Sequence, residues 1–326
     1  EYYKKLADDG ASPSSRRWQA TALVQDGWKL ADLGQLDVAE ARALQGRRVL
    51  EQLGKEDSLP TTNHDDIADI LSLLAWIEDE RGDDKKRAQL RGAIVRLRRE
   101  QLAAEPADAR RKRALAEALE MYGAAHQAEG RYQESTAALQ ESLSILDQML
   151  EENPSDDLTR RFRASTLLEF SDLRFSQGHY EQALRYAEQA AVLRLRRLDA
   201  QPTNSYRQGQ AAFALNAVSK AARLQGDYAR AMETAQRRVE LRAEMSATSP
   251  NDPQRQDDLA WGYWEMHLIT ESIGDFAATH EWLDKVRAIR EELVARNPRH
   301  ASWVERLVRA LKAKALLLDE ERRFAE

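Results

Sequence analysis

Reactive chemistry in a protein rests on a few residue types held at fixed spacing, and this chain offers little of it. It has no cysteine, which removes disulfides, thiolate metal sites, iron–sulfur ligation and thiol nucleophiles together. Its six histidines, His64, His126, His179, His267, His280 and His300, never fall three or four residues apart, so no helix presents two of them to one metal ion. His64-Asp65-Asp66 has cation-ligating residue types, but acidic residues at a helix start also complement the helix dipole, and that reading is adopted. No G-x-x-x-x-G-K-[ST] or G-x-G-x-x-G loop can cradle phosphates, and neither H-E-x-x-H nor G-x-S-x-G occurs. The 55 carboxylates are what solvated helix faces require, so paired-acid catalysis has no support. The expectation is a chain that is not an enzyme and uses no cofactor and no metal.

Binding chemistry is better represented. Two basic clusters, Arg110-Arg111-Lys112-Arg113 and the run from Arg96 to Arg99, are flanked by Glu100, Glu105, Asp108 and Glu117, and the net charge is −6. A polyanion-binding face would need a continuous basic stripe, so these clusters read as solubilising ion pairs and nucleic acid is excluded as the expected partner. No apolar run approaches the ~18 residues of a membrane span, so no membrane is expected either. Among the seven tryptophans, Trp18 and Trp303 each lie five residues after a loop proline and read as packing residues, and Trp282 stands on a second helix.

The elements that must position these groups are set by a period. Gly34, Gly82, Gly130, Gly178, Gly226 and Gly274 are each 48 residues apart, as are Pro106, Pro154, Pro202, Pro250 and Pro298. Each of these five prolines precedes the next glycine by 24 residues, except Pro298, which has none after it, so the two marks halve the period. Segments such as 132–150 and 180–198 repeat apolar residues three and four apart and are rich in Ala, Leu, Glu, Gln and Arg, which predicts a helix in each half. Glycine suits the left-handed end of the first helix, and Asp83, Asp227 and Asp275 are expected to cap the second. Seven residues before each glycine stand Gly27, Ala75, Gly123, Ser171, Ser219 and His267, mostly small enough for close helix approach. Two after it come Leu36, Asp84, Tyr132, Tyr180, Tyr228 and Phe276, and five after it Ala39, Arg87, Ser135, Ala183, Ala231 and Thr279. Asp84, Arg87 and His267 are the departures.

A large residue, a small one, then Gly-x-aromatic-x-x-small ending near a proline resembles the tetratricopeptide repeat, with 48 residues in place of 34. The resemblance implies an all-α fold, an α-solenoid wound as a right-handed superhelix of antiparallel helix hairpins. Its units fall at about 14–59, 60–105, 106–153, 154–201, 202–249 and 250–297, with a partial unit at 298–326 and residues 1–13 as the tail of a preceding one. In 318–326 a seventh turn is expected, with Arg322 in the glycine place and Phe324 in the aromatic phase. Neither end has a polar capping helix, so the chain is expected to be a fragment cut inside repeats.

Function in such arrays means holding a protein or peptide segment, or another domain of the same protein, along the wall formed by first helices. The resemblance places inward positions thirteen, ten, nine, six and three residues before each glycine. These give Gln25, Trp28 and Ala31; Asp69, Ser72, Trp76 and Asp79; Glu117, Glu120 and Gln127; then Glu169, Asp172 and Phe175. Further on they give Phe213, Asn216, Lys220 and Arg223; Trp261, Trp264, Glu265 and Glu271; and finally Arg309 and Lys312. The expected wall is acidic over units two to four and mixed or basic beyond, with aromatic anchors at both ends, suited to a basic or amphipathic partner. Whether the tryptophans touch a ligand or only seal neighbouring helices is left open by the sequence. The Lys/Asn clamp of chaperone-binding relatives is absent, which disfavours an EEVD-type tail. Similar long-period arrays occur in bacterial multidomain signalling proteins, beside kinase, STAND-type nucleotidase or caspase-like domains. The resemblance therefore implies a cytoplasmic, non-catalytic scaffold or sensor module of a larger protein, or alternatively an array that regulates such an enzyme intramolecularly.

Overall fold

A computed structural model of the protein describes residues 12–56 and 64–325. Of the expected tail at 1–13, residues 1–11 lie outside the described residues, as does the loop around Pro60 with the first unit boundary, while Ser12 and Pro13 open the first helix. Among those described, the secondary structure is helix joined by short turns, with no strand. The helices are α1 (Pro13–Asp32), α2 (Leu36–Glu56), α3 (His64–Arg81), α4 (Asp84–Ala104), α5 (Ala109–Ala128), α6 (Tyr132–Glu152) and α7 (Asp157–Ser176). They continue as α8 (Tyr180–Asp199), α9 (Ser205–Gln225), α10 (Tyr228–Thr248), α11 (Pro253–Ser272), α12 (Phe276–Arg296) and α13 (Ala301–Ala325). No helix is long and apolar enough to cross a membrane among the described residues.

The turns follow from glycine. Each of the six series glycines has a positive φ, between 74° and 88°, and no other described residue does. In every case the next residue's N–H donates to a carbonyl five back, as from Gln35 to Leu30 and Arg131 to His126, at 2.8–2.9 Å. That bond satisfies a carbonyl the helix end would otherwise orphan. The second helix then starts on a cap: Asp83, Asp227 and Asp275 accept from the backbone N–H of Lys86, Arg230 and Ala278. Arg131 and His179 occupy the same place with no side-chain cap bond. Second helices close at Asn153, Ser249 and Asn297, each followed by the loop proline.

The chain divides into two compact units, Glu1–Glu169 and Phe170–Glu326, the division falling inside α7. In the first unit α1 packs on α2, α3 on α4 and α5 on α6, with α2 against α3 and α4 against α5 joining the hairpins. In the second, α9 packs on α10 and α11 on α12, joined by α8 against α9 and α10 against α11, and α13 lies on α12. Small residues set the closeness of these seams. A Cβ added to Gly123 would lie 2.8 Å from Leu139, and one on Gly27 would lie 2.7 Å from Leu73. Ser171 and Ser219 at the same phase are buried, and so is the larger His267, whose Nδ1 bonds the Trp264 carbonyl.

Between hairpins the seams are stitched by ion pairs. Arg17 meets Asp66 at 2.6 Å, Arg81 meets Asp37 and Glu40 at 2.6 and 2.7 Å, and Arg99 meets Glu141 at 2.6 Å. The second unit repeats the device with Arg223 to Glu265 at 3.3 Å and with Arg230 to Glu188 and Arg306 to Asp257.

Two expectations are corrected. No turn forms at Arg322, because α13 continues as helix to Ala325. Arginine lacks the freedom at positive φ that lets glycine end the other first helices. Trp18 is not a packing residue: it is 69% exposed.

Candidate functional site

The first unit brings four of the expected inward residues into one open cavity of about 290 Å³. Trp28 enters from α1, Asp69 and Ser72 from α3, and Glu117 from α5, beside Ala114, Ala118 and Met121. Trp28 is held edge-on to Trp76, ring centroids 6.1 Å apart, so one indole walls the cavity and the other braces it. Among the described residues Asp69 and Glu117 make no ion pair, and desolvation by the surrounding cavity wall pushes the Asp69 carboxyl above its usual range although part of the residue reaches solvent.

The expected acidic wall is interrupted by α4, which contributes Arg91, Ile94 and Arg98. Arg98 is committed to Asp65 and Gln101, so Asp65 serves the seam and no metal; no cluster able to hold a metal occurs among the described residues. Among the described residues Arg91 has no hydrogen-bonded or ion-paired partner. Burial depresses its guanidinium pKa, Arg87 depresses it further, and Glu117 opposes both. Sequence reading missed Arg91 because only first helices were mapped. Its phase held the signal, since nine residues after the other series glycines stand Ala43, Leu139, Ala187, Ala235 and Leu283, all at most 1% exposed. Arg98 belongs to a second such series, sixteen after the glycine, where Leu50, Leu146, Arg194 and Arg290 are buried and Arg242 pairs with Asp258 at 2.6 Å.

Other expected residues of this unit lie apart from the cavity. Asp79 pairs with Arg87, the departure noted at that phase. Glu120 is 5% exposed and accepts from the Thr166 hydroxyl at 3.2 Å, inside a seam. Glu169 is half-buried, as is Gln127, while Gln25 is exposed and Ala31 buried. The basic clusters are largely spent on pairs: Arg111 to Glu105 at 2.7 Å, Lys112 to Glu152 at 3.4 Å and Arg113 to Asp156 at 3.0 Å in one, and Arg98 to Asp65 and Arg99 to Glu141 in the other.

In the second unit the expected residues form two groups. Lys220 lies 3.7 Å from the Phe175 ring centroid, and burial raises the Asp172 carboxyl while Lys220 opposes the rise. Phe213 is 56% exposed beside half-buried Asn216. The other group is packed more tightly. Trp261 and Trp264 stand 6.4 Å apart, and the buried Arg290 guanidinium lies 5.1 and 5.2 Å from their rings. Arg306 adds a second cation 5.7 Å from Trp261, and Arg223 binds the buried Glu265. Much of each indole face is thus already covered by cations of the chain itself. Arg309 pairs with Glu305 at 3.0 Å, while Lys312 and Glu271 are exposed.

No protein-family model matches the chain. No curated protein matches it in sequence. Solved structures do match in fold. BtubC from P. vanneervenii superposes with a TM-score of 0.62 at 18% identity, covering 79% of this chain and 92% of that one. The S. pombe nuclear import adaptor Nro1 gives 0.54 at 14% identity, covering 91% and 99%. A Rap protein complexed with Competence and Sporulation Factor gives 0.52 at 13% identity, covering 97% and 80%. At these identities the likeness defines a fold, that of tetratricopeptide-like helical repeat proteins.

Proposed function

We propose that the chain is a non-catalytic protein-binding repeat module that holds a peptide segment in the cavity of its first unit. The observation that carries the reading is the convergence of Trp28, Asp69, Ser72 and Glu117, from three successive first helices, around the unpaired cation Arg91. An aromatic wall offers apolar anchorage, and carboxylates beside an unpaired guanidinium offer directional contacts to a polar backbone or to charged side chains. Nro1 is named an adaptor and the Rap protein is complexed with a factor, and roles of that kind suit this fold. The finer reading is a sensor or docking part of a larger bacterial signalling protein, in the cytoplasm, with any catalytic domain elsewhere. In the second unit the exposed Lys312 would separately be available to a partner's acidic side chain, and Trp261 and Trp264 would act as anchors only where Arg290 leaves a face open.

Selection of a random peptide display library against the chain tests this. Enriched peptides are expected to lose at least about tenfold in affinity to Trp28→Ala and to Arg91→Glu, the loss of one anchoring contact of ~1.4 kcal/mol. Peptides that bind both variants as tightly as the parent would place the site elsewhere.

A further inference from the structure

The first unit holds a second, larger cavity of about 560 Å³, where the start of α4 faces the end of α5. Its cause is a departure from the repeat. The residue two after the turn glycine is Leu36, Tyr132, Tyr180, Tyr228 or Phe276 in the other hairpins, and Asp84 in this one. Asp84 lines the cavity, so a carboxylate stands where the repeat puts a large apolar side chain. The opposite wall is aromatic: Tyr122 and His126 meet edge-on with ring centroids 4.2 Å apart. Gly92 lets that wall lie back, since a Cβ there would come within 3.2 Å of the Tyr122 ring. Ala88 forms the floor. His126 is 2% exposed, and burial, with Arg131 adding to it, lowers its imidazole pKa while Glu129 opposes the fall.

The rim charges are accounted for with one exception. Asp84 pairs with Arg87 at 2.9 Å, Arg131 with Glu134 at 2.6 Å, and Glu129 with Arg131 at 3.6 Å. Lys85 lines the cavity, is exposed and makes no ion pair or hydrogen bond among the described residues. We propose that this cavity binds a planar aromatic acid, its ring set against Tyr122, His126 and Ala88 and its carboxylate on the Lys85 ammonium. The volume lies within the range of small-ligand sites, and offset or edge-on ring packing is the arrangement two aromatic walls favour. A free aromatic acid and the aromatic C-terminal residue of a peptide share this chemistry.

Calorimetric titration of the full chain with indole-3-acetate, with indole-3-acetamide and with a pentapeptide ending in tryptophan tests the assignment. Saturable binding of the acid or of the peptide is expected, and which of them binds more tightly identifies the source. The amide, which lacks the charge, and Lys85→Gln should each weaken the acid about threefold to fivefold, the effect of one exposed charge pair. Asp84→Tyr, which restores the repeat's usual residue and fills the space, should abolish binding with far-UV circular dichroism unchanged. Lys85 is a surface residue, so its variant keeps the test sharp should Asp84→Tyr fold poorly. Failure of both acid and peptide to bind the parent chain overturns the proposal, as does undiminished binding by Asp84→Tyr or Lys85→Gln.

Discussion

Gly178 and Gly226 turn the chain at φ of 76° and 88°, and an added Cβ at either would meet nothing within 4 Å. The cost of a side chain there is therefore backbone strain alone. Gly178→Val and Gly226→Val should each lower stability by ~1–2 kcal/mol in urea denaturation. Gly123 makes the contrast, since its conformation suits any residue and its cost is steric. Gly123→Ala must displace Leu139, so its loss should come with a local repacking visible in methyl spectra. His267 gives a pH signature. Burial lowers its pKa from 6.5 to about 4, against the opposing bond to the Trp264 carbonyl. The unfolded chain takes up that proton near pH 6.5 and the folded chain only near 4, so stability falls as the pH drops through this window. The fall is at most ~3 kcal/mol. His267→Ser, which installs the residue found at Ser171 and Ser219, should remove that part of the acid loss; an unchanged slope of urea midpoint against pH would refute it. At this scale legibility followed the period. Turn glycines and aspartate caps stood out because their chemistry is local. Arg91 did not, because its role depends on a cavity that only neighbouring hairpins create.

Helices were legible wherever both punctuation marks were present. Asp83, Asp227 and Asp275 each satisfy an N–H the helix start would leave bare, and replacing any of them with alanine should cost about 1 kcal/mol. His179 holds the same position without a cap bond, so His179→Asp should stabilise α8 by ~0.5–1 kcal/mol in thermal or urea melts. A destabilised His179→Asp variant would mean that the imidazole has a role the cap geometry does not express. The seventh turn failed as an expectation for the same physical reason the other six held: without glycine a helix has no cheap way to stop. The polar stripe Asp84, Arg87, Arg91 and Arg98, at spacings of three, four and seven, marks α4 as the odd element. Both cavities of the first unit border it. The sequence flagged its first two members as anomalies of packing. That they open space, rather than only weaken a seam, required the neighbouring helices to be seen.

Across the molecule, apolar burial is spread along the chain. Leu73, Leu139 and Leu146 in the first unit and Leu173 and Ile269 in the second are all at 0% exposure, in hairpins far apart in sequence. Repeat proteins gain stability from each hairpin and each interface separately. Leu139→Ala should therefore cost ~2–5 kcal/mol locally. Native-state hydrogen exchange should speed up in α5 and α6 and leave α11 and α12 unchanged; uniform acceleration would show a single cooperative core instead. The inter-hairpin stitches behave differently from the apolar seams they accompany. Exposed pairs such as Arg17–Asp66 and Arg99–Glu141 weaken as dissolved salt shortens the reach of charge, whereas the alanine and leucine contacts beneath them do not. A change in ionic strength thus acts on the joints more than on the links, which gives the chain a compliance set by its medium.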